Sequence, residues 1–371
     1  MSKNIALCFD GTWNKPVDLK TGQPIQDLCP DDDSRENPEN TNVVKIKRLI
    51  DIGVGDQDVF YFNGVGTQWY NHLSGGIAGA GLNDRIKLGY QRLAEHFTPG
   101  DRIYLFGFSR GAYTARSLGG MIRKCGVLRR DRLDQLDAAF DLYRRRDATA
   151  DAADAKQFRQ ANSVETGIHF IGVWDTVGSL GIPLAAFRGI DNALCGFHDT
   201  SLSSIIKHGY HAVAIDENRK QYAPTLWTGQ PDPGQTIEQR WFIGAHSNVG
   251  GGYADDRLSD LALAWMYQKA SACGLRLKPF VADANDCRGA IHDSYQEFLG
   301  GLNFLYRWFS FRFYRPINFG ACGQALDRSP VDRLEADGNY HPKNLRRYGT
   351  VIELAQYVPA TAPGSAGVAV S

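Results

Sequence analysis

Apolar residues in this chain cluster in short runs that stop abruptly at polar residues, and these runs alternate with stretches of helical spacing. Ile5-Ala6-Leu7-Cys8-Phe9 reads as a strand over residues 4–9 that closes on Asp10-Gly11-Thr12-Trp13-Asn14. Thr41 or Asn42 then offers a cap to a helix in which Val43, Val44, Ile46, Leu49 and Ile50 recur near helical spacing. Residues 58–62 predict a second strand, 83–97 a helix, 101–106 a third strand and 112–124 another helix. Further strands are expected over 167–174, 210–215 and 240–244, before a helix from about Arg257 to Ala272. Strands that alternate with helices build a mostly parallel sheet with helices on both faces, an α/β class.

Between these elements the pattern lapses. Residues 14–40 carry Pro16, Pro24, Pro30, Pro38 and the run Asp31-Asp32-Asp33, and read as a loop or lid insertion. Residues 64–81 are glycine-rich and expected to be loop, while 129–162 turn charged and alanine-rich, as an exposed helical insertion would. The last stretch, 358–371, is small-residue, Ala/Gly/Pro-rich and expected to be a disordered tail, which leaves 1–357 as a single domain.

Charge narrows the function classes. Acidic and basic residues balance at 41 each in 371, so no global field draws nucleic acid. Seven cysteines, scattered and without a C-x-x-C pair, argue against a disulfide framework and a zinc site, and imply folding in a reducing compartment. No basic-then-apolar leader and no run of 18 apolar residues is visible, so a cytoplasmic product without a membrane span is expected.

The chemistry concentrates at predicted strand ends, where parallel sheets gather their sites. Gly107-Phe108-Ser109-Arg110-Gly111 follows a strand directly and opens a helix, the context of a nucleophile elbow in an α/β-hydrolase-like fold. Gly107 and Gly111 relieve the crowding of that turn. A serine hydroxyl needs a base and an acid to orient it, and the order Ser, acid, His is met by Ser109, Asp175 and His246. Asp175 is favoured as the acid for its Thr-Val-Gly turn. Asp216 is the alternative, at the end of the later strand and with Arg219 nearby as a structural partner. Gly250 to Gly252 would let the loop carrying His246 turn back toward the serine. The amide of Arg110 is the expected first oxyanion donor, and Gly11 or Thr12 the second, with Asp10 stiffening that loop. No metal or organic cofactor is needed for such chemistry.

Two other motifs fall away. Phe9-Asp10-Gly11-Thr12 is similar to the haloacid-dehalogenase phosphatase motif, but position 8 is cysteine where the nucleophilic aspartate belongs. The glycines of 75–81 do not follow a strand, so a dinucleotide fingerprint is not met. The segment 298–314 is unusually aromatic. Trp308 and Phe309 are candidate lipid contacts, with Arg307, Arg312 and Arg315 turned toward phosphate, against the alternative that the rings fill core.

Four motifs stand in register: Phe9-Asp10-Gly11-Thr12-Trp13-Asn14, Gly107-Phe108-Ser109-Arg110-Gly111-Ala112, Val173-Trp174-Asp175-Thr176-Val177-Gly178, and Ala245-His246-Ser247-Asn248-Val249-Gly250-Gly251-Gly252. With them the chain resembles an uncharacterised α/β-hydrolase domain family that includes phospholipase effectors of the bacterial type VI secretion system. That resemblance implies Ser109 as nucleophile, Asp175 as acid and His246 as base, acting on acyl esters of glycerophospholipids at a peripheral membrane contact. It also implies export without a signal peptide and an immunity or secretion-apparatus partner. Small soluble or glycan-linked esters, and a noncatalytic binding module, are the alternative readings.

Overall fold

Seven strands run parallel in one sheet in the computed structural model, which describes residues 2–11, 40–53, 55–64, 76–145, 147–178, 201–295 and 312–359. In chain order these are β1 (Asn4–Phe9), β2 (Gln57–Phe62), β3 (Arg102–Phe108), β6 (Ile168–Trp174), β7 (Ile206–Ala214), β8 (Thr236–Phe242) and β9 (Gln324–Leu326). The intervening β4 (Val127–Leu128) and β5 (Ser163–Val164) form a separate antiparallel ribbon. Across the sheet the order is β2-β1-β3-β6-β7-β8-β9. The chain goes from β1 outward to β2 and returns on the other side of β1 to form β3. This reversal falls between β1 and β3, and open parallel sheets bind ligands beyond the carboxyl ends of the strands at such a switch point.

The apolar runs are continuous because the sheet is covered on both faces. Alternate residues of one strand belong to different cores. Ile5, Leu7, Phe9, Ile103, Leu105, Ile171 and Val173 pack with helices α2 (Gly76–His96) and α3 (Arg110–Cys125). Ala6, Cys8, Tyr104, Phe106, Phe108, Phe170 and Trp174 pack with α1 (Asn42–Leu49) and α7 (Arg257–Ala272). Thr41 caps α1 by accepting the Val44 amide at 3.3 Å.

Several boundaries differ from the sequence expectation. Helix α2 begins at Gly76, so residues 76–81 are helical rather than loop. Packing of Leu82, Ile86, Tyr90 and Leu93 against the sheet outweighs the low helix propensity of its glycines. Strands β7 and β8 each start four residues earlier than predicted, because their amino-terminal halves include Lys207, His208, Thr236 and Glu238, which mask the apolar run. The 129–162 insertion does contain helices, α4 (Leu136–Arg144) and α5 (Ala153–Asn162), but Ala139, Phe140, Leu142 and Ala155 are buried core rather than exposed. Strand β9 and the helix α8 (Arg328–Ala336) were not anticipated, the strand being only Gln-Ala-Leu. Most of the 14–40 insertion and residues 360–371 lie outside the described residues.

Candidate active site

Strand β3 ends at Phe108 and α3 starts at Arg110, which leaves Ser109 alone to make the turn. It does so at φ 57 and ψ −119, a conformation whose cost is about 1–3 kcal/mol for a residue with a Cβ. Its amide donates to Trp174 O at 3.0 Å and its carbonyl accepts from the Tyr113 amide at 3.2 Å, so both neighbouring elements hold the strained residue. The flanking glycines are required by contact. A Cβ on Gly107 would stand 2.5 Å from the Gly111 carbonyl oxygen, and one on Gly111 would overlap the Phe9 carbonyl at the end of β1.

Because β6 lies beside β3, its end brings Asp175 next to the elbow. Asp175 also has a positive φ, 38; the only other non-glycine residue so twisted among the described residues, besides Ser109, is Cys322. Asp175 Oδ2 accepts from His246 Nδ1 at 2.6 Å, and Oδ1 accepts from the Ala214 amide at 2.9 Å. A proton on Nδ1 facing the carboxylate leaves Nε2 of His246 as the acceptor. The sequence predicts a glycine loop around His246, but His246 instead opens a short helix, α6 (His246–Gly250), separated from β8 by residues 243–245. Its ring lies 4.6 Å from that of Phe108, the residue before Ser109, and 5.0 Å edge-on from that of Tyr222. Burial holds the imidazole below its ordinary range despite the aspartate contact.

Asp216, the alternative acid, is bound elsewhere. Its Oδ2 accepts from the Gly244 amide at 2.7 Å and from Tyr340 Oη at 2.9 Å, and burial pushes the carboxyl up to about 6. Arg219 does not partner it. That guanidinium grips Glu217 instead, Nε to Oε1 and Nη2 to Oε2, both at 2.8 Å, and lies over the Tyr222 ring at 3.6 Å. Fully buried Glu217 also accepts from Ser294 Oγ at 2.8 Å and from the His246 amide at 3.3 Å.

Sequence reasoning missed the other cation of the site. Arg315, assigned toward lipid phosphate, is fully buried and forks onto Asp175, with Nη1 to Oδ1 at 2.6 Å and Nη2 to Oδ2 at 2.9 Å. The same guanidinium donates to Ala214 O at 2.8 Å and Tyr222 O at 2.6 Å. Burial disfavours the Asp175 charge, but Arg315 and the His246 bond outweigh it and hold the carboxyl well below the usual range.

On the β1 side, the Gly11 amide is engaged by its neighbour, donating to Asp10 Oδ1 at 2.6 Å. The Asp10 carboxylate also accepts from Thr41 Oγ1, at 2.8 and 2.9 Å, and from Tyr61 Oη at 2.6 Å. It therefore ties the loop after β1 to α1 and β2. Thr12, Trp308 and Phe309 lie outside the described residues. Among the described residues no group of three His, Cys, Asp or Glu side chains could hold a metal ion, and no helix is long and apolar enough to cross a membrane.

Comparison with known proteins places this chain in a family. Residues 3–269 match the type VI secretion phospholipase effector Tle1-like catalytic domain. The uncharacterized protein YEL023C of Saccharomyces cerevisiae is 30% identical over 257 residues, 62% of this chain and 33% of that protein. An uncharacterized protein from Pseudomonas aeruginosa superposes with a TM-score of 0.41 at 21% identity, over 74% of this chain and 46% of its own. The Tle1 effector bound to the VgrG spike gives a TM-score of 0.33 at 18% identity, over 68% of this chain and 51% of its own. The chain thus spans a third to a half of the length of these relatives.

Proposed function

Because the chain belongs to the Tle1-like catalytic-domain family of type VI secretion phospholipase effectors, we propose that it is a serine hydrolase cleaving an acyl ester of a glycerophospholipid through Ser109, His246 and Asp175. His246 Nε2 takes the proton of Ser109 Oγ as the oxygen attacks the ester carbonyl. The negative charge that develops on the carbonyl oxygen lies against the Arg110 amide at the head of α3, where first-turn amides lack helical partners. Collapse expels the lysophospholipid alkoxide, which takes the proton from His246, and leaves the acyl group on Ser109. Water, deprotonated by His246, then attacks the acyl carbon, the bond to Ser109 Oγ breaks as that oxygen takes the proton back from His246, and the fatty acid leaves. Asp175 stabilises the imidazolium in both halves.

The observation that supports this reading most is the 2.6 Å contact of His246 with a buried carboxylate beside a serine held at φ 57. Backbone strain of this kind persists only where the surroundings enforce it, and it concentrates at functional sites. The test is hydrolysis of phospholipid vesicles against short monomeric esters, by wild type and Ser109→Ala. Serine-dependent fatty-acid release from vesicles supports the reading, and turnover of the short esters alone would redirect it to small soluble esters. The family also supports delivery through type VI secretion, which appearance of the chain outside cells only when the apparatus is intact would test.

A further inference from the structure

The acid that meets His246 is not a lone carboxylate. Asp175 accepts four hydrogen bonds, one from His246, one from the Ala214 amide and two from Arg315, and it and Arg315 are both fully buried. A bidentate guanidinium fixes the plane of a carboxylate as well as its charge. We infer that Arg315 is a positioning residue for the site: its fork orients Asp175 toward His246 and offsets the aspartate charge, so that His246 remains an unprotonated base into mildly acidic solution. The inference rests on the serine-hydrolase reading above.

The reasoning is electrostatic. A buried carboxylate in contact with an imidazole favours its protonated form, which cannot accept the serine proton. A cation forked onto both oxygens of that carboxylate, including the Oδ2 that meets His246, opposes the effect at short range. The remaining charges facing His246 act in opposite senses, Glu217 favouring its protonated form and Arg219 opposing it. Glu217, on the loop after β7, accepts the His246 amide but is paired with Arg219, and Tyr222 presents only its ring edge. Loss of the Arg315 charge would leave Asp175 unopposed and raise the pH at which His246 loses its proton. The same loss would free the carboxylate to turn, and catalysis would slow at every pH.

The test is the rate of fluorophosphonate labelling of Ser109 as a function of pH in wild type, Arg315→Lys and Arg315→Gln, with folding checked by thermal melting. Wild type is expected to keep its acid limb at or below about pH 6.5, the ordinary histidine value. Arg315→Gln should label at least about tenfold more slowly on the plateau, with its acid limb moved up by about one pH unit. Arg315→Lys retains the charge without the fork, so it should lose rate while its limb stays near wild type. A folded Arg315→Gln whose limb does not move would overturn the inference and reduce Arg315 to a structural anchor. If that variant does not fold, the wild-type limb decides: a value above about pH 7.5 means the aspartate charge is not offset. Absence of labelling in wild type itself would instead overturn the serine reading.

Discussion

Gly250 lies flat against the ring of Phe108, so close that any Cβ on it would overlap the ring carbons. The last residue of the helix that starts at His246 is thereby seated on the residue preceding Ser109. Nothing larger than hydrogen fits between them, so the helix position is set by the strand that carries the serine. Gly250→Ala should push α6 away from β3 and move the imbalance directly into the site. Overpacking of this kind typically costs about 1–3 kcal/mol, and a displacement near 1 Å can cost about a hundredfold in rate. Urea unfolding and ester turnover on the purified variant measure both, and turnover equal to wild type would contradict the coupling.

Asp175 and Asp216 end adjacent strands but have opposite surroundings, and the two asparagine variants should separate them. Asp175→Asn leaves one acceptor oxygen where two are used: with that oxygen held by the Ala214 amide, the NH2 faces His246 Nδ1, the charge that pairs with Arg315 is lost, and turnover should fall by about 10⁴. Asp216→Asn can still accept from Gly244 and Tyr340 through its amide oxygen, and should keep most of its turnover. Comparable losses in both would undo the assignment of Asp175.

Stability should record the Asp216 environment as well. Its folded value of about 6 lies above the ordinary aspartate value of about 3.9, so the protonated form is favoured on folding. That contribution is fully present below about pH 4 and is lost as pH rises through about 6. Wild type should therefore lose up to about 3 kcal/mol relative to Asp216→Asn between pH 4 and pH 8. Urea denaturation of both proteins at pH 4, 6 and 8 checks this, and parallel stability curves would exclude a raised carboxyl.

Glu217→Gln should be more damaging than its conservative look suggests. It strips the charge from a fully buried partner of Arg219 that also receives Ser294 Oγ and the His246 amide. Breaking one side of a buried ion pair costs about 3–5 kcal/mol, because the other charge stays behind. Thermal melting should show a large loss, while Glu217→Asp should recover part of it. A Glu217→Gln protein as stable as wild type would mean that the pair is open to water.

Much of the fold was legible because strands covered on both faces announce themselves as apolar runs that stop at a polar residue, as 4–9 stops at Asp10 and 168–174 at Asp175. Which strand end lies beside the serine was not legible, since it depends on lateral order. That β6, rather than β7, neighbours β3 is what sets Asp175 at the elbow. Arg315 was out of reach for a related reason. It lies 140 residues from Asp175 in an aromatic, arginine-dotted stretch that reads equally as a membrane-facing surface. Only burial distinguishes a cation turned inward from one turned to phosphate. Glu217 was passed over beside Asp216 because two adjacent carboxylates in sequence point to different partners, one to Tyr340 and one to Arg219.

The claim that Ser109 is the nucleophile is tested most directly by mapping a fluorophosphonate adduct by mass spectrometry on the folded wild-type chain, alongside Ser109→Ala and His246→Ala. The adduct should sit on Ser109 in wild type, be absent from Ser109→Ala, and form far more slowly in His246→Ala. An adduct on a different residue, or full ester turnover by folded Ser109→Ala, would contradict the account.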